Sequence, residues 1–112
     1  MSVALIVLEP KSIEYAHIYV PIATEDVFRR VWIPAVEKIN AVWIPLFQIG
    51  VDITSEDFEN VIQELISLRE WVRIHEQDQD EIQQVLFRID LLLNELKRLS
   101  IDTNGDITVF IG

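Results

Sequence analysis

The 112-residue chain contains no cysteine, three glycines, four prolines and one methionine. Without cysteine there is no disulfide scaffold, no thiolate metal site and no thiol nucleophile. Three glycines leave little scope for the glycine-rich loops that bring a backbone close to a phosphate. Basic residues are also few: the chain has nine, compared with 19 acidic residues, which gives a formal net charge of -10. This charge opposes binding to the phosphate backbone of a nucleic acid.

Long apolar runs are absent as well. The N-terminal run, residues 3–8, spans six residues, whereas a membrane helix needs about 18. No basic residue precedes it and Glu9-Pro10 closes it, unlike the pattern of a signal peptide. We therefore expect a cytoplasmic protein without a membrane segment. Because half of the residues are apolar and the chain is short, we expect one folded domain over residues 1-112.

Four parts of the chain have the composition of strands. Residues 3–8 are apolar on both alternations, which predicts a central strand covered on both faces. β-branched and aromatic residues over 13–20 predict a second strand in an antiparallel hairpin with the first. Residues 41–53 alternate too, but Pro45 cannot donate a ladder hydrogen bond, so a strand here must be bulged or lie at an edge. Residues 107–111 predict a closing strand after an Asn-Gly turn.

The helical patterns are stronger. Thr24 is a predicted N-cap, and Pro34 predicts a break or kink before a short helical piece that ends near Ile39. Residues 54–57 and 78–81 begin two long helices with apolar residues at i, i+3, i+4 and i+7. A short polar linker favours an antiparallel pair. The order β-β-α-β-α-α-β predicts an α+β fold, in which helices cover a small, mostly antiparallel sheet.

No motif in the chain indicates chemistry. Residues 102–106 resemble the start of a calcium loop, but Ile107 stands where that loop needs glycine. Neither histidine has the neighbours of a zinc site. The repeated Val-Trp-Ile-Pro at 31–34 and 42–45 is typical of two core tryptophans. We therefore expect no metal, no cofactor and no enzymatic activity.

The distribution of charge is the most informative feature. Residues 51–81 contain ten acids and two bases, a balance of -8, whereas residues 28–39 carry a mildly basic patch of Arg29, Arg30 and Lys38. Such an acidic region either keeps the surface solvated or steers the chain toward a basic partner.

The hypothesis that follows is a non-catalytic protein-binding module. It would be a small acidic inhibitor of the immunity-protein or antitoxin type, which covers a basic protein such as a toxin. Trp71 lies off the main apolar stripe and is the preferred surface anchor. The predicted partner-binding residues are the acids of the helical hairpin with this tryptophan: Glu56, Asp57, Glu59, Trp71, Glu76, Asp78, Asp80 and Glu81.

Two alternatives stay open. Phe87, Leu91 and Ile101 fall off the main stripe of the last helix, so residues 79–99 could form a homodimer or larger assembly. The second alternative is a small ligand-binding or enzymatic domain. It would use a strip formed by Tyr15, His17 and Tyr19 on one face of the second strand.

Overall fold

The computed structural model describes residues 2–75, 79–103 and 106–112. It confirms an α+β fold with a four-stranded antiparallel sheet in the order β2-β1-β4-β3. The strands are β1 (Ser2–Leu8), β2 (Tyr19–Thr24), β3 (Val51–Thr54) and β4 (Thr108–Ile111). The α-helices are α1 (Ile13–Ala16), α2 (Glu25–Val27), α3 (Ile33–Ile39), α4 (Phe58–His75) and α5 (Gln79–Asp102).

Strand β1 lies inside the sheet, between β2 and β4, as its apolar run predicts. Its side chains Val3, Leu5 and Val7 are buried in the core with residues of the helices. On the opposite face Ile6 is 37% exposed, so the expectation that both faces are covered is wrong there. The core helices therefore pack on one face of the sheet, and the other face is exposed at Ile6, although Ala4 on the same side of β1 is buried.

The second strand begins later than predicted. Residues 13–16 form the single turn α1, in which Ile13 is exposed and Ser12 takes an extended N-cap conformation. The β-branched composition of this segment is overridden because β1 pairs instead with Tyr19–Thr24. Pro21 is accommodated in this strand because β2 is an edge strand.

The helical segment after β2 confirms both predictions made for it, the Thr24 cap and the irregularity at Pro34. The Thr24 hydroxyl accepts a 3.1 Å hydrogen bond from the Val27 N–H, as a cap should. A π-helical turn, Phe28–Trp32, separates α2 from α3, and the Ile33 N–H donates to the Phe28 carbonyl five residues back. Pro34 lies in the first turn of α3, where its missing N–H is harmless.

Residues 41–48 are not a strand, which corrects the prediction for the first part of that stretch. A 3-10 helix, Ile44–Gln48, begins with Pro45 in its first turn. Only the end of the stretch is extended: β3 forms the edge of the sheet and so confirms the predicted edge position. Gly50, with φ of +98°, makes the turn between the two elements.

Helices α4 and α5 confirm the predicted pair. A 3-10 turn, Ser55–Asp57, leads into α4, and Arg69 of α4 donates a 2.8 Å hydrogen bond to Asp90 of α5. The predicted apolar stripes are buried, and they join the inner face of the sheet in one core. The buried stripe residues are Phe58, Val61, Ile62, Leu65, Leu68 and Val72 of α4, with Ile82, Val85, Ile89, Leu92, Leu93, Leu96 and Leu99 of α5.

Candidate functional site

The predicted acidic surface of the hairpin is divided into two groups. Glu56 and Asp57 precede α4, whereas Asp80 and Glu81 lie in the first turn of α5. Helix α4 has 18 residues, which corresponds to a length of about 27 Å. The two groups therefore stand at opposite ends of the helix pair instead of forming one patch. Glu59 belongs to the first group, and the predicted residues Glu76 and Asp78 lie outside the described residues.

An ion pair within the protein holds one of the predicted residues. Arg30 donates to both carboxylate oxygens of Glu81 at 2.9 Å, and its Nε donates to Asp26 at 2.9 Å. The hydrogen bond from Arg30 lowers the pKa of Asp26, and the bonds to Glu81 and Asp26 raise the pKa of Arg30. Part of the mildly basic patch thus neutralises acids of the same chain, which reduces the charge that Glu81 can offer a partner.

Trp71 is half-buried and packs against the core. Its indole stacks on the His75 ring, with ring centroids 4.5 Å apart and an interplanar angle of 17°. Beside it Arg73 pairs with Glu70, and this hydrogen bond lowers the pKa of Glu70. Trp71 therefore keeps part of its surface exposed, and its role as an anchor stays a prediction. Trp32, by contrast, is completely buried and confirms the core interpretation of the first Val-Trp-Ile-Pro segment.

The acids at the start of α4 are exposed or half-exposed, and among the described residues their side chains make only local hydrogen bonds. Asp57 accepts a 3.3 Å hydrogen bond from the Thr54 hydroxyl, and Glu59 accepts one of 2.9 Å from the amide of Gln63. Glu56 has no ion pair within the described part of the chain. These carboxylates remain available to a binding partner.

A cleft of about 510 Å³ lies at the end of the sheet, next to the last turn of α5. We call it the acidic cleft. Among the residues that line it are four carboxylates and a single base: Glu9, Asp52, Asp102, Asp106 and Lys11. These side chains have a formal charge of -3, and all five residues are exposed. The half-buried ring of Tyr15 forms part of the wall.

Two bases partly offset this charge. Lys11 forms an ion pair with Asp106, and Arg98 donates a 3.2 Å hydrogen bond to Asp102. Asp52 has no ion pair among the residues that the structure describes. Glu9 likewise has no ion pair among these residues, so the cleft is negative overall, with uncompensated charges on Glu9 and on Asp52 of the edge strand β3.

Sequence reasoning did not identify this cleft. Its acids are dispersed along the chain, and the sheet order brings them together because β4 lies between β1 and β3. One feature of the sequence prediction was relevant to the cleft: in an antiparallel helix pair the end of α5 lies near the start of α4. That proximity would have suggested Asp102 as a neighbour of the first acidic group.

A second cleft, of about 390 Å³, separates β2 from the start of α5. Asp80, Gln84 and Arg88 lie along one side of it at helical spacing, and the apolar Ile22 and Val27 lie on the other. Its lining combines two acids, Asp80 and Glu81, with one base, Arg88, so it carries charges of both signs.

The predicted strip of Tyr15, His17 and Tyr19 does not form. Tyr15 belongs to α1, His17 follows that turn, and only Tyr19 lies in β2, so the three rings do not share a strand face. No group of three or more His, Asp or Glu residues within 2–75, 79–103 and 106–112 is placed to hold a metal ion.

The apolar residues predicted to lie off the main stripe of α5 are exposed. Phe87 is 58% exposed, Leu91 37% and Ile101 77%. Self-association through this surface stays a prediction.

Comparison with known protein families, curated proteins and solved structures finds no match to this chain. In the described part of the chain, no helix combines the length and apolar character needed to cross a membrane.

Proposed function

We propose that this protein is a non-catalytic binding module for a basic protein partner, and that the acidic cleft is its principal contact surface. The observation that carries the proposal is the convergence of four carboxylates around one cleft that holds a single lysine. The net charge of -10 acts in the same direction, because it attracts a basic partner at long range.

The size of the cleft suits this role. At about 510 Å³ it falls within the range of about 300–1,000 Å³ that is typical of ligand-binding clefts. It can accommodate a few side chains of a partner, such as lysines or arginines. Exposed ion pairs contribute about 0–1 kcal/mol each, and desolvated interface pairs contribute about 1.5–7 kcal/mol by coupling measurements. A partner that closes the cleft therefore gains more from these carboxylates than one that only touches them.

We further propose that the partner is a protein whose activity is blocked by this contact, as in an inhibitor of the immunity-protein or antitoxin type. Carboxylates that occupy a basic active site would stand in for phosphates. The exposed acids Glu56 and Glu59 at the start of α4 add to the negative surface near the cleft. Trp71 lies toward the other end of α4 and offers a partly exposed aromatic side chain apart from the cleft.

A basic peptide of alternating lysine and valine is the probe for this proposal. We expect it to bind the protein in isothermal titration calorimetry, and we expect the affinity to fall steeply between about 50 mM and about 300 mM NaCl. A peptide of alternating glutamate and valine should not bind. Absence of binding by the lysine peptide at low salt would contradict the proposal.

Matched charge variants locate the contact. Asp52→Asn/Asp102→Asn removes two charges from the acidic cleft, and Glu25→Gln/Glu37→Gln removes two exposed charges from the helical segment before the 3-10 helix. We expect the first variant to weaken binding of the lysine peptide about tenfold more than the second. Equal losses would show that net charge alone attracts the peptide and that the cleft has no special role.

A homo-oligomer is a second candidate, favoured by the exposed aromatic ring of Phe87 on α5. Light scattering at micromolar concentration tests it directly. A dimer that dissociates in Phe87→Lys but persists in Gln83→Lys, an exposed position on the same helix, would support this candidate; a monomer at all concentrations would reject it.

A further inference from the structure

Strand β3 pairs with β4 on one side, and its other side is an open edge of the sheet. The direction of its main chain follows from the ladder. Ala4 and Gly112 exchange two backbone hydrogen bonds, of 3.2 and 3.0 Å, so they form a hydrogen-bonded pair between β1 and the end of β4. Because such pairs alternate along antiparallel strands, Phe110 and Thr108 also direct their main-chain groups toward β1.

The β4 residues that alternate with Phe110 and Thr108 must then direct their main-chain groups toward β3. Ile111 and Val109 direct their N–H and C=O groups toward Val51 and Ile53, which are their partners in register. Asp52 and Thr54 are therefore the β3 residues whose main-chain N–H and C=O groups point away from the sheet. Both residues are exposed, and no backbone hydrogen bond to either of them crosses this edge in the described residues.

We infer that an extended, basic segment of the partner protein adds to the sheet along β3 and pairs with Asp52 and Thr54. This inference rests on the proposed function and specifies how the partner would contact this protein. The free main-chain groups provide the hydrogen bonds of strand addition, and cross-strand side-chain pairs provide selectivity.

The charge next to this edge determines the chemistry of the segment. Asp52 lines the acidic cleft as well as the edge, and its carboxylate has no ion pair within the described residues. Glu56 and Asp57 lie in the 3-10 turn that follows the strand. A lysine or arginine opposite Asp52 would find an opposite charge, whereas an acidic segment would meet three carboxylates.

A second copy of this chain is a poorer occupant of the edge. It would bring its own Asp52, Glu56 and Asp57 to the same place and would carry another net charge of -10. Carboxylates that face each other across adjacent strands are destabilising.

A proline at position 54 tests strand addition with little change to the folded protein. Thr54 has φ of -83°, which is close to the value that proline requires, and its N–H points away from β4. Thr54→Pro therefore removes an outward donor and fills its place with the ring. Thr54→Val is the matched control, because it also loses the hydroxyl bond to Asp57 but keeps the N–H.

We expect the lysine–valine peptide to bind Thr54→Pro about five- to tenfold more weakly than Thr54→Val, which is the loss of one hydrogen bond. A second peptide with equal charge, in which prolines replace the valines, should bind the wild-type protein no better than it binds Thr54→Pro. Thermal unfolding of both variants checks that they are folded.

Hydrogen exchange on the wild-type protein gives an independent measurement that needs no variant. The peptide should slow exchange of the Asp52 and Thr54 amides, while the Val51 and Ile53 amides, which already face β4, serve as internal references. Equal binding of both lysine peptides without protection of Asp52 and Thr54 would overturn strand addition and leave charge-based binding intact. Binding of neither lysine peptide would overturn the proposed function as well.

Discussion

Replacing Glu64 by alanine is expected to destabilise the protein by about 2–3 kcal/mol, although this residue is neither fully buried nor part of an ion pair in the described chain. The Glu64 side chain reaches from α4 to the start of the 3-10 helix, where its carboxylate accepts hydrogen bonds from three successive backbone amides. The donors are Val42 at 2.9 Å, Trp43 at 3.0 Å and Ile44 at 3.1 Å.

The magnitude follows from what these amides lose. The first amides of a helix have no partner within that helix, and a capping side chain contributes about 0.5–2 kcal/mol when it satisfies one of them. Hydrogen bonds to a charged acceptor contribute about 1.5–3 kcal/mol, but partial exposure of Glu64 lets water replace part of the loss. Glu64→Gln keeps one acceptor oxygen and should therefore cost about half as much as Glu64→Ala.

Urea unfolding with linear extrapolation measures the effect. Glu59→Ala is the control. It removes an exposed glutamate of the same helix that accepts a hydrogen bond from the exposed Gln63, and it should change the free energy of unfolding by less than about 0.5 kcal/mol. If Glu64→Ala proved as mild as this control, the carboxylate would not be what holds the 3-10 helix against α4.

Three further outcomes can be measured. Arg30→Gln should raise the pKa of Asp26 toward its ordinary value, because Arg30 is the main cause of its lowered pKa; carbon-detected NMR titration would show no change if the ion pair did not exist in solution. Gly50→Ala should lower the free energy of unfolding by about 1–3 kcal/mol, since φ there is +98° and a Cβ would lie 2.7 Å from the Phe110 ring; an unchanged urea midpoint would contradict this geometry. Trp32→Ala should lower the free energy of unfolding by about 3–5 kcal/mol. Trp32→Phe should lower it clearly less, because the buried indole nitrogen has no hydrogen-bond partner to lose among the described residues. Equal losses for the two variants would contradict that account.

The parts of the fold that could be predicted are those in which local pattern and final packing agree. The long apolar stripes of α4 and α5 repeat over many turns, so accidental matches to another period are rare. The Thr24 cap and the irregular turn before Pro34 depend on neighbours in sequence. Residues 3–8 are apolar enough that a position inside the sheet followed directly.

Residues 41–48 could not be assigned correctly for a physical reason. Their alternating apolar residues fit a strand as well as a short 3-10 helix, and the choice depends on Glu64, about 20 positions further along the chain. Residues 13–16 pose a similar problem, because their β-branched side chains favour a strand only where a neighbouring strand is free to pair.

The candidate site was only partly predictable. Local charge counts identified the first acidic group, with Glu56 and Asp57, but they also combined it with acids at the far end of α4. Local composition does not show which residues from distant parts of the chain come close together in the folded sheet. Asp52, Asp102 and Asp106 line one cleft because of the order in which the strands assemble.

The position of β4 has a kinetic consequence. This strand comes after every other described element in sequence, yet it lies between β1 and β3, and its pairing with β1 joins residues such as Leu5 and Ile111 across almost the full chain. During synthesis on a ribosome the two sides of the sheet cannot be joined until β4 has emerged. We therefore expect refolding on the order of milliseconds to seconds, with the helical hairpin formed well before the sheet closes.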